Sequence, residues 1–432
     1  MQAVILAGGK GPRLKSIQAQ APKPMLPIGS KPVLEHQIAL LQSFGITEII
    51  ILVNHLKESI QDYFQHGKKW DVEISYFEEA TPLGTVGGVK AIENQIQGDF
   101  LVIYGDVMFD IDLQRLLNFH NAKKSECTLV LHPNDHPYDS DLVEINSDSR
   151  LTAFHAKPHD HKQYYRNLVN AGVYIFSKKI FEFLENGKKA DFGNDIFPLI
   201  YSTLKMFGYT TSEYLKDMGT PDRLEKVTHD YLSGKIAARN LRNKQKAIFL
   251  DRDGVLNEDQ EYISTPEGLT LYPFTSAAIK KINTSGFLAI VITNQPVVAR
   301  NLCTEKELKT IHNKLDTVLG EDHAMLDAIY YCPHHPDKGY PEENPIYKID
   351  CQCRKPKPGM LLDAARDFNI DLANSFFIGD HERDIEAGKR AGVTTIGVRT
   401  GAALRGAHIQ PDHTFENVEQ AVDFITQSTV IK

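Results

Sequence analysis

The chain has 432 residues, of which 42% are hydrophobic and 24% are charged, and its formal net charge is −8 at pH 7. This length exceeds what one compact core usually holds, so we expect two domains, and the composition is that of a globular protein without extensive disorder. The negative charge argues against a general nucleic-acid-binding protein, but local basic loops can still bind anionic small substrates.

The first residues, MQAVILAGG, form a short apolar run that ends in glycines. Because no charged leader precedes it, this run predicts a buried strand rather than a signal peptide. No stretch approaches the roughly 18 apolar residues of a membrane span. We therefore expect a cytoplasmic protein that acts on small molecules, without nucleic-acid or membrane partners; the sequence leaves its oligomeric state open.

Short β-rich apolar runs alternate with helical patterns, such as residues 33–44, through the first half of the chain. Such alternation predicts a mostly parallel sheet with helices on both faces. The runs of the first half are 3–6, 49–53, 74–77, 100–104 and 128–131. The pattern then restarts, with runs at 247–250, 288–292, 328–331, 375–378 and 395–398.

Residues 235–246, between the two halves, contain five basic residues and no acidic one. We interpret this segment as a basic linker that faces water, with contact to a polyanion as the alternative. The sequence thus predicts an α/β fold with two domains, 1–234 and 247–432. Each is expected to be a mostly parallel sheet with helices on both faces.

A glycine-rich segment, LAGGKGPRL, directly follows the first predicted strand. Ligands bind open α/β sheets at such strand ends, and glycines let the backbone approach a phosphate and present N–H groups to it. Arg13 in this segment and Lys23, which lies between two prolines, add positive charge. Together they predict a phosphate-binding site, which a glycine-rich turn alone would support only weakly.

Several further motifs give residues 1–234 a resemblance to the sugar-1-phosphate nucleotidyltransferase family. The resemblance implies a Rossmann-like domain in which an oxygen of a sugar 1-phosphate attacks the α-phosphorus of a nucleoside triphosphate and releases pyrophosphate. The motifs are GGKGPRL at 8–14, Pro-Lys at 22–23, LGTVGG at 83–88, YGD at 104–106, Lys-Pro at 157–158, NAGVY at 170–174 and DMGTPDRL at 217–224.

This resemblance also implies roles for individual residues. Arg13 and Lys23 would stabilise charge on the triphosphate, and Asp106 and Asp217 would hold Mg²⁺. Either aspartate could instead be only a cap or turn residue. The implied nucleotide-binding residues are Leu6, Gly8, Gly9, Gly84 and Thr85, and the implied sugar-phosphate-binding residues are Lys157, Asn170 and Gly172.

Two positions depart from the pattern of that family. Pro12 stands where many relatives have threonine or serine, and it removes a backbone donor from the loop. Ala156 replaces the glutamate of the usual Glu-Lys-Pro. The histidines that flank Lys157, at positions 155, 159 and 161, suit neither one strand face nor one helix face, so we interpret them as pocket or surface residues rather than metal ligands.

Asp251 and Asp253 follow the apolar run 247–250, two residues apart. In extended chain this spacing directs both carboxylates to the same region. One can attack phosphorus while the other, kept protonated by its environment, supplies a proton to the departing alkoxide. Water, activated by the second group, would then hydrolyse the aspartyl phosphate.

The second half resembles the haloacid dehalogenase phosphatase superfamily, because Thr293-Asn294, Arg354-Lys355 and GDHERD at 379–384 follow in its usual order. The resemblance implies that Asp251 is the nucleophile and Asp253 the general acid/base. Thr293 and Lys355 would bind phosphate, with Asn294 and Arg354 in the same catalytic set. Asp380 would bind Mg²⁺ together with Asp251 and Asp253, and Asp384 would either join the site or act only as a helix-turn carboxylate.

Five cysteines, an odd number, argue against a disulfide framework. The pairs Cys332-x-His334 and Cys351-x-Cys353 instead provide four ligands that suit a tetrahedral structural zinc ion. The sequence of the proline-rich loop 332–353 predicts little regular structure, and a bound metal would order this loop. We interpret His335 as a neighbour rather than a ligand.

With this zinc loop, residues 247 to about 425 resemble the D-glycero-D-manno-heptose-1,7-bisphosphate 7-phosphatase family, of which histidinol-phosphate phosphatase is a close relative. Pro296, Asn301 and His381 depart from the usual residues. Because such a phosphatase releases a heptose 1-phosphate, the resemblances together imply a bifunctional enzyme that makes an NDP-heptose, with GTP favoured as nucleotide donor. The alternatives are another sugar phosphate or a histidinol-phosphate-like substrate, or a first half that binds sugar nucleotide without turnover.

Overall fold

The computed structural model of the chain describes residues 1–9, 21–79, 81–339 and 341–430, with side chains described through residue 427. These residues form two compact units. The first comprises Met1–His132, Tyr138–His159 and Leu168–Asn240, and the second comprises Pro133–Pro137, Asp160–Asn167 and Leu241–Lys432.

The first unit is built on a nine-stranded mixed sheet, with two smaller antiparallel pairs beside it. Its strands are β1 (Gln2–Leu6), β2 (Pro27–Ile28), β3 (Lys31–Pro32), β4 (Glu48–Val53), β5 (Glu73–Glu78), β6 (Phe100–Tyr104), β7 (Val107–Asp110), β8 (Cys127–His132), β9 (Leu142–Ile145), β10 (Leu151–His155), β11 (Val169–Phe176), β12 (Met206–Thr210) and β13 (Tyr214–Asp217). Its helices are α1 (Val33–Ser43), α2 (Lys57–Phe64), α3 (Gly84–Ala91), α4 (Leu113–Lys123), α5 (Phe197–Ile200), α6 (Pro221–Leu232) and α7 (Lys235–Ala238).

Strands β6, β1, β4 and β5 run parallel in that spatial order. The sequences of these strands are continuously apolar because both faces of the sheet are buried. Ala3 and Ile5 of β1 pack into one core cluster, and Val4 packs into the cluster on the opposite face. The carboxyl ends of β1 and β6 therefore lie side by side. The glycine loop and Asp106 follow these two ends.

Strand β11 runs antiparallel to β6, β8 and β9, so the other half of the sheet is largely antiparallel, although β12 pairs with β8 in parallel. Strands β7 and β13 form a separate antiparallel pair in which Asp217 lies opposite Val107. The prediction of a parallel-rich α/β domain is confirmed. The antiparallel half was not predicted, because apolar runs give no strand direction.

The second unit contains one six-stranded sheet whose neighbouring strands are all parallel, in the order β16-β15-β14-β17-β18-β19. The central strand β14 lies between β15 and β17, which places Asp251, Asn294 and Asp380 at adjacent carboxyl ends. The strands are β14 (Ala247–Leu250), β15 (Leu288–Asn294), β16 (Ala328–Cys332), β17 (Phe376–Gly379), β18 (Thr394–Val398) and β19 (His413–Phe415). The helices are α8 (Thr275–Ser285), α9 (Glu305–Glu321), α10 (Gly359–Asp367), α11 (Glu382–Ala391) and α12 (Val418–Val430).

Residues 235–246 are structured in part. Helix α7 buries Ile236 in a small apolar cluster of the first unit, and Asn240 donates a hydrogen bond to Asp110 Oδ1 at 2.7 Å. The next residue, Leu241, packs into a core cluster of the second unit. No helix in the described part of the chain is both long and apolar enough to cross a lipid bilayer.

Candidate active sites

Asp251 directly follows β14 at the centre of the second sheet and is 4% exposed. The Nζ atom of the buried Lys355 lies 2.9 Å from its Oδ1 atom. Burial raises the pKa of Asp251 to about 6, although Lys355 acts in the opposite direction. Above that pH the side chain is a carboxylate, which is the form that can attack phosphorus.

The Asp253 carboxylate lies against the fully buried guanidinium of Arg252, with 2.9 Å between Nη2 and Oδ1. Asn257 and Gln295 also donate hydrogen bonds to it, at 3.0 and 2.7 Å. Burial acts to raise the pKa of Asp253, but Arg252 and these hydrogen bonds lower it overall. The environment of Asp253 in the free site therefore favours the charged form, in contrast to the expectation that it is kept protonated, because donors surround the carboxylate.

Oxygen atoms of Asp251, Asp380 and Asp384 lie within 4.8 Å of one another. The Asp253 side chain, which we predicted as a Mg²⁺ ligand, is not in this group and faces Arg252 instead. Burial, followed by the charges of Asp384 and Asp251, raises the pKa of Asp380 to about 8. Three buried oxygen donors that repel one another fit a hard divalent cation such as Mg²⁺, which would offset their repulsion.

Asp384 serves both the start of α11 and the site. Its Oδ2 atom accepts a hydrogen bond from the backbone N–H of His381 at 3.0 Å, while Lys355 Nζ lies 2.7 Å from its Oδ1 atom. Asp384 is therefore a helix-capping carboxylate that also lies in the acidic cluster, and its participation in the reaction stays a prediction. The helix cap fixes the carboxylate where it can complete the acidic cluster.

Glycines leave room for Asp380. A Cβ atom placed on either Gly254 or Gly401 would lie 2.3 Å from Asp380 Oδ2, and both glycines have a positive φ. The same Oδ2 atom accepts a hydrogen bond from the backbone N–H of Ala402 at 2.6 Å. Side chains at the two glycine positions would displace this carboxylate, so the local backbone positions Asp380.

Thr293 and Asn294 end β15, next to the strand that carries Asp251. Gln295 donates to Thr293 Oγ1 at 2.9 Å and to Asp253, so it links the two. The Asn294 side chain exchanges two hydrogen bonds of 3.0 Å with the backbone of Lys355. Asn294 thus positions Lys355, whose ammonium group reaches Asp251.

Two arginines add positive charge near these carboxylates. Arg354 donates from Nη1 to the backbone oxygen of His334 at 3.0 Å. The sequence did not lead us to predict a role for Arg383, although its charge is visible in GDHERD. Burial acts to lower the pKa of Arg383, but the charges of Asp384 and Asp251 raise this pKa overall. Its buried Nε atom has no hydrogen-bond partner among the described residues. A guanidinium with an unused donor beside a nucleophile can bind a substrate phosphate.

The predicted ligands Cys332, His334, Cys351 and Cys353 lie together. Their three Sγ atoms are 3.1–3.4 Å apart, and His334 Nδ1 is 3.5 Å from Cys353 Sγ and 3.7 Å from Cys332 Sγ. A tetrahedral zinc ion with Zn–S distances of about 2.3 Å needs S···S separations of about 3.8 Å. Hydrogen bonding with Cys332 lowers the pKa of Cys353 to about 5. The observed Sγ separations are somewhat shorter than those that zinc needs, but the four soft donors lie close enough together to surround a zinc ion.

In the first unit, the glycine loop begins where β1 ends at Leu6. A Cβ atom on Gly8 would lie 2.9 Å from Glu79 Oε2, whereas one on Gly9 would have no neighbour within 4 Å among the residues that the structure describes. The start of the loop therefore faces a carboxylate at Gly8. Arg13, predicted to bind the triphosphate, and Pro12 lie outside the residues that the structure describes.

Glu79 was not selected from the sequence, because nothing in FEEATPLG distinguishes it from Glu78. Its backbone continues the β5 pairing through a 3.0 Å hydrogen bond to the Val53 oxygen. Burial raises the pKa of Glu79 to about 7. The side chain is therefore a partly desolvated acid at the edge of the glycine loop.

Asp106 and Lys23, predicted for Mg²⁺ and triphosphate, form an ion pair of 2.8 Å. Asp217 lies nearby, since the backbone N–H of Met218 donates to the Asp106 backbone oxygen at 3.0 Å. Both oxygens of Asp217 accept from Arg223 at 2.9–3.0 Å. The β7–β13 pairing thus brings the two predicted Mg²⁺ ligands together, and each carboxylate has a cationic partner that a bound metal would have to compete with.

Gly84 and Thr85 begin α3. A Cβ atom on Gly84 would lie 2.2 Å from the Ala190 backbone oxygen, and Gly84 has a positive φ. The Thr85 hydroxyl donates to Asp191 Oδ2 at 2.9 Å and accepts from the backbone N–H of Phe192. The Thr85 side chain, predicted to bind nucleotide, therefore faces a carboxylate.

Lys157 and Asn170, predicted to bind the sugar phosphate, both approach Asp141. The backbone N–H of Lys157 lies 3.4 Å from Asp141 Oδ1, and that of Asn170 donates to the Asp141 backbone oxygen at 3.0 Å. Lys157 Nζ donates to the Asp139 backbone oxygen at 3.0 Å. Gly172 has a positive φ and lies against the Tyr104 ring. The structure brings these predicted residues together around an aspartate that sequence analysis missed.

The histidines near Lys157 have separate partners. His155 lies 3.1 Å from Glu144 Oε1, and His159 bonds the Ser140 backbone oxygen at 2.7 Å. Neither belongs to a metal-ligand group among the described residues. This arrangement agrees with their interpretation as pocket or surface residues.

Comparisons with known proteins divide the chain in the same way. Residues 2–234 match the family model for nucleotidyl transferases, and residues 352–421 match the HAD-hydrolase-like model. Over the first half, the chain is 34% identical to D-glycero-alpha-D-manno-heptose 1-phosphate guanylyltransferase of Aneurinibacillus thermoaerophilus, covering 52% of this chain and 96% of that protein. It is 30% identical to mannose-1-phosphate guanylyltransferase of Mycobacterium tuberculosis, covering 56% and 67%.

Over the second half, the chain is similar to D-glycero-beta-D-manno-heptose-1,7-bisphosphate 7-phosphatase of Haemophilus ducreyi. The identity is 41% over 162 residues, which covers 37% of this chain and 86% of that protein. Each half of the chain thus has relatives of its own.

Proposed function

Because this chain belongs to the nucleotidyl transferase family and, in its second half, to the heptose-bisphosphate phosphatase family, we propose that it is a bifunctional enzyme of nucleotide-activated heptose biosynthesis. Its second unit removes the 7-phosphate of D-glycero-D-manno-heptose 1,7-bisphosphate, and its first unit transfers GMP from GTP to heptose 1-phosphate with release of pyrophosphate. One observation carries this proposal: the chain contains two sites, one in each half. The relatives of the second half are named for releasing a phosphate from heptose 1,7-bisphosphate, and a relative of the first half is named for using heptose 1-phosphate.

In the phosphatase reaction, an Asp251 oxygen attacks phosphorus while the bond to the sugar oxygen breaks, giving an aspartyl phosphate and an alkoxide. Asp253 supplies the proton to that alkoxide. Arg252 holds Asp253 ionised in the free site, but the charge of an arriving phosphate would raise the pKa of Asp253. Asp253 then takes a proton from water, which hydrolyses the aspartyl phosphate. Mg²⁺ held by Asp251, Asp380 and Asp384 would reduce repulsion between carboxylate and phosphate.

In the nucleotidyl transfer reaction, the main requirement is to hold crowded negative charges together. Lys23 and Arg13 bind the triphosphate, and Asp106 with Asp217 would hold Mg²⁺. Lys157 binds the phosphate of the sugar. The Lys23–Asp106 ion pair supports this assignment, because it keeps a cation and a metal-binding carboxylate together at the end of β6 before substrate binds.

Glu79 offers a physical basis for guanine selection. A carboxylate among the phosphates would repel them, so a partly buried Glu79 beside Gly8 is best placed toward the uncharged base. Guanine presents two neighbouring donors, N1–H and the 2-amino group, and a carboxylate can accept both. We therefore assign base recognition to Glu79.

Glu79→Gln should raise the KM for GTP about 10- to 100-fold, because the amide loses one acceptor and turns a donor toward guanine. In the native protein, the KM for GTP should rise as the pH falls below about 7, since Glu79 is protonated there. In the variant this dependence should be absent. Initial rates of pyrophosphate release at several pH values measure both effects. Glu78→Gln is the matched control, because Glu78 is exposed and paired with Lys57; an equal change in both variants contradicts the assignment.

We also propose that Cys332, His334, Cys351 and Cys353 hold a structural zinc ion. Cys351→Ser should remove stoichiometric zinc and lower the free energy of unfolding of the second unit by about 4 kcal/mol or more. Elemental analysis and thermal unfolding measure these effects. Cys303→Ser is the control, because this cysteine lies outside the ligand group. A Cys351→Ser protein that keeps one zinc per chain excludes the proposed ligand set.

The two reactions can be consecutive only if they accept the same anomer, because removal of the 7-phosphate leaves C1 unchanged. The names of the relatives differ here, with beta for the phosphatases and alpha for the heptose guanylyltransferase. We propose the α anomer for both steps. With Mg²⁺ and GTP, the α-1,7-bisphosphate should yield phosphate and then pyrophosphate in equal amounts. Release of phosphate without pyrophosphate from the α anomer would contradict the proposed sequence.

A further inference from the structure

The proposed sugar pocket of the first unit contains two carboxylates, Asp141 and Asp191, that approach the same glycine. A Cβ atom on Gly193 would lie 2.2 Å from Asp141 Oδ2 and 3.3 Å from Asp191 Oδ1. Both aspartates are partly buried. Since like charges at close range are unfavourable, such a pair needs a reason to be kept.

Asp191 has its acceptors occupied. Its Oδ2 atom accepts from the Thr85 hydroxyl at 2.9 Å. Its Oδ1 atom accepts from the backbone N–H groups of Gly193 at 2.9 Å and Asn194 at 3.2 Å. These bonds cap the turn that starts at Phe192. Asp191 is therefore anchored by the protein itself.

Asp141 has fewer protein partners. Its Oδ1 atom faces the backbone N–H of Lys157 at a long 3.4 Å, and the Asn170 side chain donates a hydrogen bond to the carboxylate. Burial is the main reason that the pKa of Asp141 is raised, and neighbouring Asp191 adds to it. The Asn170 Oδ1 atom is buried and lacks a hydrogen-bond partner among the described residues. The pocket thus keeps unused acceptors next to Lys157.

We propose that Asp141 is a specificity-determining residue that accepts hydrogen bonds from ring hydroxyls of the sugar 1-phosphate. Hydroxyl donors satisfy a desolvated carboxylate whose protein partners are few. Lys157, whose backbone N–H faces Asp141, binds the phosphate of the sugar 1-phosphate. Neighbouring residues of the pocket therefore recognise both the phosphate and the ring hydroxyls of this substrate. This inference rests on the proposed nucleotidyl transfer function and adds the group that recognises the sugar.

Asp141→Asn keeps the size of the side chain and removes its charge. We expect the KM for heptose 1-phosphate to rise about 10- to 100-fold, with the KM for GTP and the phosphatase rate within about twofold of native. Asp148→Asn is the matched control, because Asp148 is an exposed aspartate in the turn between β9 and β10. An unchanged KM for the sugar in Asp141→Asn overturns the inference.

Singly deoxygenated heptose 1-phosphates separate recognition from a merely structural role. If Asp141 binds a hydroxyl, the analogue without that hydroxyl should show the same KM in native protein and Asp141→Asn, whereas the parent sugar shows the large difference. An equal rise for the parent and every analogue overturns the inference. Native protein is assayed first with GTP and heptose 1-phosphate, since failure to release pyrophosphate there defeats the proposed function rather than the role of Asp141.

Discussion

Asp251→Asn should lower the rate of phosphate release from heptose 1,7-bisphosphate by about 10⁴-fold or more, the scale seen when a covalent nucleophile is removed. An amide of the same shape cannot form the acyl phosphate that the carboxylate forms. Lys355 retains Asp384 as a partner at 2.7 Å, so its position should persist. Nucleotidyl transfer from GTP to heptose 1-phosphate should remain within about twofold of native, since its residues lie in the other unit.

Steady-state release of inorganic phosphate measures this effect, and thermal unfolding confirms that the variant is folded. Asp363→Asn, at an exposed position on α10, controls for loss of an aspartate in the same unit. Trapping with a fluoride mimic of the phosphoryl group provides an independent check, because the mimic should bind against Asp251. Phosphate release within tenfold of native in Asp251→Asn would show that another residue is the nucleophile.

Asp106→Ala should produce the reverse pattern, with loss of pyrophosphate release by about 10³-fold or more and retention of phosphatase activity. Removal of this carboxylate takes away a proposed Mg²⁺ ligand and leaves Lys23 without its 2.8 Å partner. Stabilisation of a transferring phosphoryl group by a bound metal contributes several kcal/mol, which is the scale of this loss. Asp62→Ala, at an exposed position on α2, is the control.

The two variants can be tested together. An equal mixture of Asp251→Asn and Asp106→Ala proteins should convert heptose 1,7-bisphosphate and GTP to GDP-heptose, because we expect the intermediate to diffuse freely between sites. Loss of both activities in either single variant would contradict independent reactions. A mixture that makes heptose 1-phosphate but no sugar nucleotide would contradict free diffusion.

The sequence predicted the strand ends that carry the chemistry well. Runs such as 247–250 and 100–104 are apolar throughout because their strands are covered on both faces, so the amino-acid pattern alone places Asp251 and Asp106 at strand ends. The Cys-x-His and Cys-x-Cys spacing was equally informative, since two short local motifs predicted that these four side chains lie together. Both features are set by residues that are close together in the sequence, so the sequence alone is enough to predict them.

Features that depend on packing between distant residues were not predictable. The charge state of Asp253 is decided by Arg252, Asn257 and Gln295 around it, and no spacing rule gives that environment. Asp141 and Asp191 are 50 residues apart in the sequence (191 − 141) and approach each other beside Gly193. The raised pKa of Glu79 likewise reflects burial beside Gly8, which its neighbours in the sequence do not reveal.

The central position of β14 also bears on how the chain emerges from the ribosome. Its two neighbours in the sheet, β15 and β17, are both translated later, and Asp380 is added 129 residues after Asp251 (380 − 251). Until then the nascent strand that precedes Asp251 lacks one flank, and the acidic cluster lacks two members. Domains generally fold as units during synthesis, N-terminal first, so the acidic cluster of a nascent chain can be complete only after Asp384 has been added.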